Sequence, residues 1–353
     1  MKIIKKFTTH ILIALTLTLI FSLTSCGAGK KDAVGISAPT AADDIRWAKD
    51  IKIITDSLKK SGYKVDVKYA GSNAETQVSQ LYEMINSGVK AIVLIPAEST
   101  GYKTALREAG LRDIKILLHD KLVLDTPNID FYNTFDYSRI GMLQAAYIIA
   151  KLDPDNNDKT FNIEIFSGSQ TDHGAMKAYS GGMNVLKPYI EKGRFNIVSG
   201  ETGFYETATD GGTRENAAAR MSSILSTYYA DGKNLDAIFA ADDIVAAGAI
   251  DTLTAAGKSV SVITGQDVYP FAVKNIADGK QTISIFKDPS LISERTAKTI
   301  DELITGKQYE YNTSIDNNVK NIPSYVNDIS IIDINNYRKI LIDSGYYKES
   351  DIK

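Results

Sequence analysis

Short apolar runs alternate with helical stretches along almost the whole chain, and that alternation limits the possible folds more than any other feature. Residues 33–39 (AVGISAP), 91–96 (AIVLIP) and 114–118 read as strands, separated by amphipathic stretches at 45–58, 74–85 and 99–109. Residues 63–69 (YKVDVKY) alternate with period two, the pattern of a half-exposed edge strand. Strands spaced by helices of this length mean βαβ units, a parallel sheet and right-handed crossovers. After a short strand at 131–135 and a helix at 136–150, the rhythm restarts with strands at 163–166, 196–199, 235–240, 260–264 and 282–286. A chain of 353 residues exceeds the usual span of one domain. The expected fold is therefore α/β, with two doubly wound parallel-sheet lobes. The tail, a strand over 323–334 and a helix over 337–344, is too short for a third domain and is expected to cross back between the lobes.

The N-terminus has a separate logic. Lys2, Lys5 and Lys6 precede an apolar run from Ile11 to Leu23, a basic region and a short hydrophobic core as in a secretory signal. Leu23-Thr24-Ser25-Cys26 resembles the bacterial lipobox, whose cysteine becomes the lipidated first residue of the mature protein. Cys26 is the one cysteine in the chain, so lipidation leaves no thiol for a disulfide, a metal or catalysis. Residues 1–25 are read as leader and 26–32 as tether, placing the protein on the outer face of a membrane. Removing the leader, with its three lysines and no acid, takes the formal net charge from −3 to −6. That balance argues against nucleic acid as a partner.

Polar side chains collect where the strands end: Arg46 and Trp47, Asp120 and Lys121, Asp172 and His173, Asp242 and Asp243, Gln266 and Asp267, and Lys287. In open α/β sheets the carboxyl ends of strands form the ligand crevice. Carboxylates accept from neighbouring hydroxyls, lysine and arginine donate, and an aromatic ring covers a C–H face, so the set suits a neutral polyol. Asp242 is read as a cap of the following helix.

The order of these pieces resembles the type I periplasmic sugar-binding proteins, the ribose, galactose, arabinose and xylose receptors of ABC transporters. The resemblance rests on VGISAPT (34–40) with Arg46-Trp47, LLHDKLV (117–123), FYNTFD (131–136) and FNIEIFSGSQTDHGA (161–175). It continues through FAADD (239–243), TGQD (264–267), SIFKD (284–288), NIPSY (321–325) and DSGYYK (343–348). It implies a three-strand hinge, with a first lobe of 33–132 plus 290–305 and a second of 134–287 plus 320–353. It further implies capture of a monosaccharide, an aldose, between the lobes and delivery to an ABC permease by a monomeric protein that is no enzyme and carries no cofactor. On that likeness Asp243, Asp267 and Lys287 are sugar contacts, Lys121 stands where the family has arginine, and His173 where near relatives have asparagine. Arg46, Trp47, Asp120, Asp172 and Gln266 complete the expected ligand set.

Rival readings are a sugar sensor for a chemoreceptor or histidine kinase, and a surface carbohydrate-active enzyme. Asp153 to Asp158 with Glu164 mimics an EF-hand loop, but Asp158 stands where the loop needs glycine, so no metal is expected.

Overall fold

The computed structural model of the chain describes residues 31–40 and 45–352. Cys26 and the leader lie outside them, as does the side chain of Arg46. The first sheet contains β1 (Lys31–Ala38), β2 (Tyr63–Tyr69), β3 (Ala91–Leu94), β4 (Lys115–His119) and β5 (Phe131–Phe135). They lie in the order β5-β4-β3-β1-β2, all parallel, with β2 at the edge. Helices Ala74–Ser87 and Lys103–Leu111 cover one face through Leu81, Met84, Leu106 and Ile116. Helices Ile45–Lys60 and Pro289–Thr305 cover the other through Ile36, Ile54, Val93 and Ile300. Both faces being buried explains why AIVL in β3 has no polar alternation.

The second sheet repeats the plan with β6 (Phe161–Phe166), β7 (Phe195–Asn196), β8 (Ala237–Ala240) and β9 (Val262–Ile263), parallel in the order β7-β6-β8-β9. Helices Tyr137–Leu152 and His173–Glu191 pack on one face, Arg214–Tyr228 and Asp243–Ala255 on the other. The first pair is drawn together by glycine: a Cβ on Gly141 would stand 1.8 Å from the Ala178 carbonyl oxygen.

The tail departs from expectation. The single strand expected over 323–334 is two strands in different sheets. After β10 (Ser284–Phe286) come β11 (Thr313–Asp316), β12 (Asn321–Asn327) and β13 (Ser330–Ile332). β12 runs parallel beside β5, β11 closes an antiparallel hairpin on it, and β13 pairs with β10. Residues 321–327 therefore belong to the first sheet, whereas the family resemblance implies a second lobe that holds all of 320–353. The reason is edge protection: without β12, the hydrogen-bonding edge of β5 would be open. β11 is a further strand that the apolar pattern does not signal, because it is short and exposed. The chain passes between the sheets three times, after Phe135, after Phe286 and after Asn327.

Candidate functional site

Between the lobes lies a cavity of about 560 Å³. Its first-lobe wall includes Trp47, Glu98, Asp120 and Lys121; its second-lobe wall includes Asp172, Gly211, Gly212, Asp242, Gln266, Asp267 and Tyr269, with Lys287 at a crossing. Seven of the ten expected ligand residues thus share one space: Trp47, Asp120, Lys121, Asp172, Gln266, Asp267 and Lys287. Trp47 serves twice, since it also packs into the core against the first sheet.

Asp120 follows β4 in a left-handed conformation (φ 65°), which turns its carboxylate inward. Its carbonyl accepts from the Tyr132 and Thr134 hydroxyls, both at 2.8 Å, and its N–H donates to Asn133 at 2.7 Å. The Tyr137 hydroxyl donates to Asp120 Oδ1 at 2.9 Å. Lys287 Nζ stands 3.6 Å from Asp120 Oδ2, 3.0 Å from Asp267 Oδ1 and 3.4 Å from the Tyr137 hydroxyl. Lys287 is 6% exposed, so its charge is neutralised by protein groups and not by bulk water. Tyr137 was not anticipated; the signal available was an aromatic directly after the helix cap Asp136.

On the flank, Lys121 Nζ reaches Asp172 Oδ2 at 2.8 Å across the two lobes. Asp172 also caps helix His173–Glu191, its Oδ1 accepting from Gly174 and Ala175. Burial would raise this carboxyl, but Lys121 and the two amides outweigh burial and hold it below the ordinary value. Burial likewise opposes the charge of Lys121, and Asp172 more than restores it.

Two expectations are corrected. Asp243 does not line the cavity: it is fully buried and spends both oxygens inside its own lobe. Oδ1 accepts from Gln281 at 2.7 Å; Oδ2 accepts from Ser284 at 2.9 Å and from the Tyr269 amide at 3.1 Å. Successive side chains at the strand–helix junction point apart, so the carboxylate facing the cavity is that of Asp242. It caps the helix as read, with Oδ1 accepting from Val245 at 2.8 Å, and it lines the cavity besides. Burial, with Asp267 nearby, pushes the Asp242 carboxyl up to about 6. Asp243 instead shapes the loop that carries Asp267. Asp267 (φ 92°) and Val268 (φ 50°) are both left-handed, a strained pair costing about 1–3 kcal/mol per residue. Asp243, Ser284 and the Ile285 carbonyl hold the backbone amides of 267–269. Gly265 is required beside them, since a Cβ there would stand 2.2 Å from Asp243 Oδ1.

His173 is the second correction. It does not line the main cavity; it borders a neighbouring one of about 330 Å³. Its amide donates to Ser99 Oγ at 3.0 Å, another bond between the lobes. Burial and then Lys177 lower its pKa, which keeps the ring neutral at neutral pH. His119 is structural, its ring bonded to Asp50 at 3.1 Å and Thr296 at 2.8 Å within the first lobe. Glu164, the last position of the calcium-like run, is turned inward to Ser199 and Tyr229.

What the cavity offers is a ring of donors and acceptors held in fixed directions. Gln266 Oε1 is buried beside it with no hydrogen-bond partner among the described residues, a cost that a hydroxyl donor would remove.

The chain is similar to known proteins over most of its length. The sequence model of the periplasmic binding protein domain matches residues 34–308. The multiple sugar-binding periplasmic receptor ChvE of Rhizobium radiobacter is 35% identical over 333 residues, covering 92% of this chain and 94% of that protein. The D-xylose-binding periplasmic protein of Escherichia coli is 34% identical over 344 residues, covering 96% and 98%. An ABC transporter solute-binding protein from Clostridium phytofermentans, solved with β-D-glucose, superposes with a TM-score of 0.87 at 38% identity, covering 91% of this chain and 100% of that one.

Proposed function

From the premise that the chain belongs to the periplasmic binding protein domain family, we propose that it captures a monosaccharide between its lobes and delivers it to an ABC importer. The observation that carries this reading is the convergence of Asp120, Asp267, Gln266 and Lys287 from both lobes on one polar cavity. An aldose fits because vicinal hydroxyls donate to Asp120, Asp242, Asp267 and Gln266 while accepting from Lys121 or Lys287. Trp47 supplies an apolar surface for the ring's C–H face.

The mechanism is hinge closure. A sugar touching Asp120 and Trp47 on one wall and Asp242, Gln266 and Asp267 on the other gains all its contacts only when the walls meet. Its differential affinity for the closed form therefore shifts the lobes toward closure. Binding and release suffice for this role, and no catalytic step is assigned. The names of the relatives and the sugar in the glucose-bound structure support the ligand class.

Export and anchoring belong to the same reading. Cys26 would carry the lipid, hold the protein on the outer face of the membrane and leave the lobes free to work as a monomer. Its substitution by alanine should release the protein from membranes after detergent-free fractionation; full retention would remove the anchor. For the ligand, calorimetry against a panel of pentoses and hexoses is the direct test. Heat from at least one free aldose, without its consumption, is expected; silence across the panel removes the sugar assignment.

A further inference from the structure

The second cavity, bordered by His173, shares part of its wall with the first. Lys121, Tyr137 and Asp172 line both, so the ion pair between Lys121 and Asp172 is a partition between two spaces. The side chains of this pair are 28% and 26% exposed, and each comes from a different lobe, so the partition opens when the lobes part. Beyond it the lining is amphipathic. Leu122, Ile315 and Val326 supply an apolar patch, while Ser138, Thr313 and His173 supply hydrogen-bonding groups. The neutral state of His173 suits donation and acceptance toward hydroxyls, because each ring nitrogen then does one of the two. The volume of 330 Å³ equals about eleven waters at about 30 Å³ each, room for one pyranosyl unit.

We infer that the protein also takes neutral disaccharides, with one ring in the cavity between Asp120 and Asp267 and the second in the cavity bordered by His173 and Thr313. The glycosidic link passes where Lys121 and Asp172 now meet. Lys121 then donates to the link oxygen or a flanking hydroxyl, and Asp172, still capping its helix with Oδ1, accepts from another hydroxyl with Oδ2. The hairpin of β11 and β12, which the alternation of strands and helices did not foretell, supplies one wall of this second subsite through Thr313, Ile315 and Val326.

The inference rests on the sugar-binding reading, and the experiment separates the two. Calorimetry on the mature chain would compare D-glucose and D-xylose with cellobiose, maltose and xylobiose, for the native protein and for Thr313→Trp. Thr313 lies on an exposed strand, so an indole there is expected to fold and to fill the second cavity. The expected result is that at least one disaccharide binds, that Thr313→Trp weakens it about tenfold or more, and that monosaccharide affinity changes by less than about twofold. Binding of a monosaccharide but no disaccharide overturns the inference and leaves the proposed function standing. A disaccharide whose affinity ignores Thr313→Trp also overturns it, because the second ring then lies elsewhere. If Thr313→Trp lowers the melting temperature, Lys177→Ala at the exposed rim of the same cavity serves instead, read by the same ratio of disaccharide to monosaccharide affinity. Silence from every sugar overturns the proposed function and the inference with it.

Discussion

Asp120 and Asp267 approach Lys287 from opposite lobes, and both sit in the left-handed region, yet each is held there differently. Asp120 is fixed by neutral hydroxyls of β5, the strand that leads directly into a crossing between the lobes. Asp267 is fixed within its own lobe by a buried carboxylate, Asp243, acting through the amide of Tyr269 and the hydroxyl of Ser284. One wall is thus tied to the hinge, and the other is a preset surface that the hinge brings up. Tyr137 joins the two, since it bonds Asp120 and faces Lys287, its ring centroid 4.9 Å from Nζ.

Removing the preset acid has the largest expected effect. Asp267→Ala should cost about a hundredfold in sugar affinity, because it truncates one partner of a desolvated charge pair. The ligand-free protein should still fold. Asp267→Gly should bind as poorly but melt at a higher temperature than Asp267→Ala, since glycine accepts a φ of 92° without strain. Affinity unchanged by calorimetry would take Asp267 out of the site.

Next comes the support beneath it. Asp243→Ala leaves the Gln281 amide, the Ser284 hydroxyl and the Tyr269 N–H without their acceptor, and should destabilise the second lobe by about 3 kcal/mol in urea unfolding. A normal unfolding midpoint with abolished binding would instead restore Asp243 as a direct ligand, as the family likeness had implied.

The hinge side should respond less. Tyr137→Phe deletes one hydrogen bond to Asp120 and should weaken binding about fivefold, or about 1 kcal/mol, without changing which sugars are preferred. A change in sugar preference would mean that the phenol touches the ligand.

The smallest effect is one of pH. A hydroxyl donating to Asp242 favours its ionised form, so ligand binding expels a proton wherever the free protein still holds one. Affinity should therefore rise with pH up to about 6, level off above it, and fall as pH drops below. Asp242→Asn should flatten that profile; an unaltered pH dependence in the variant assigns the titration to another group.

Much of this was legible in the chain before any coordinates. Continuous apolar runs such as AIVL could be only strands buried on both faces, and their spacing by helices required parallel sheets. Because a parallel sheet puts its strand ends along one crevice, the end positions at 120–121, 172, 266–267 and 287 followed from periodicity and from the family likeness together. Short, exposed β11 was not legible, since it exists by pairing with β12 and not by any apolar pattern of its own.

Sequence therefore determined the number of lobes, their layered packing and the loops that face the cleft, because hydrophobic periodicity is a local property of the chain. Tertiary structure alone decided which of two adjacent aspartates faces the cavity, which strand closes the edge of β5, and that His173 borders a second cavity. Those outcomes depend on side-chain direction and on partners far away in the chain: Asp243 is claimed by Gln281 and Ser284, and Lys121 by Asp172. No local pattern records such pairings, and they separate a carboxylate that shapes a loop from one that lines the cavity.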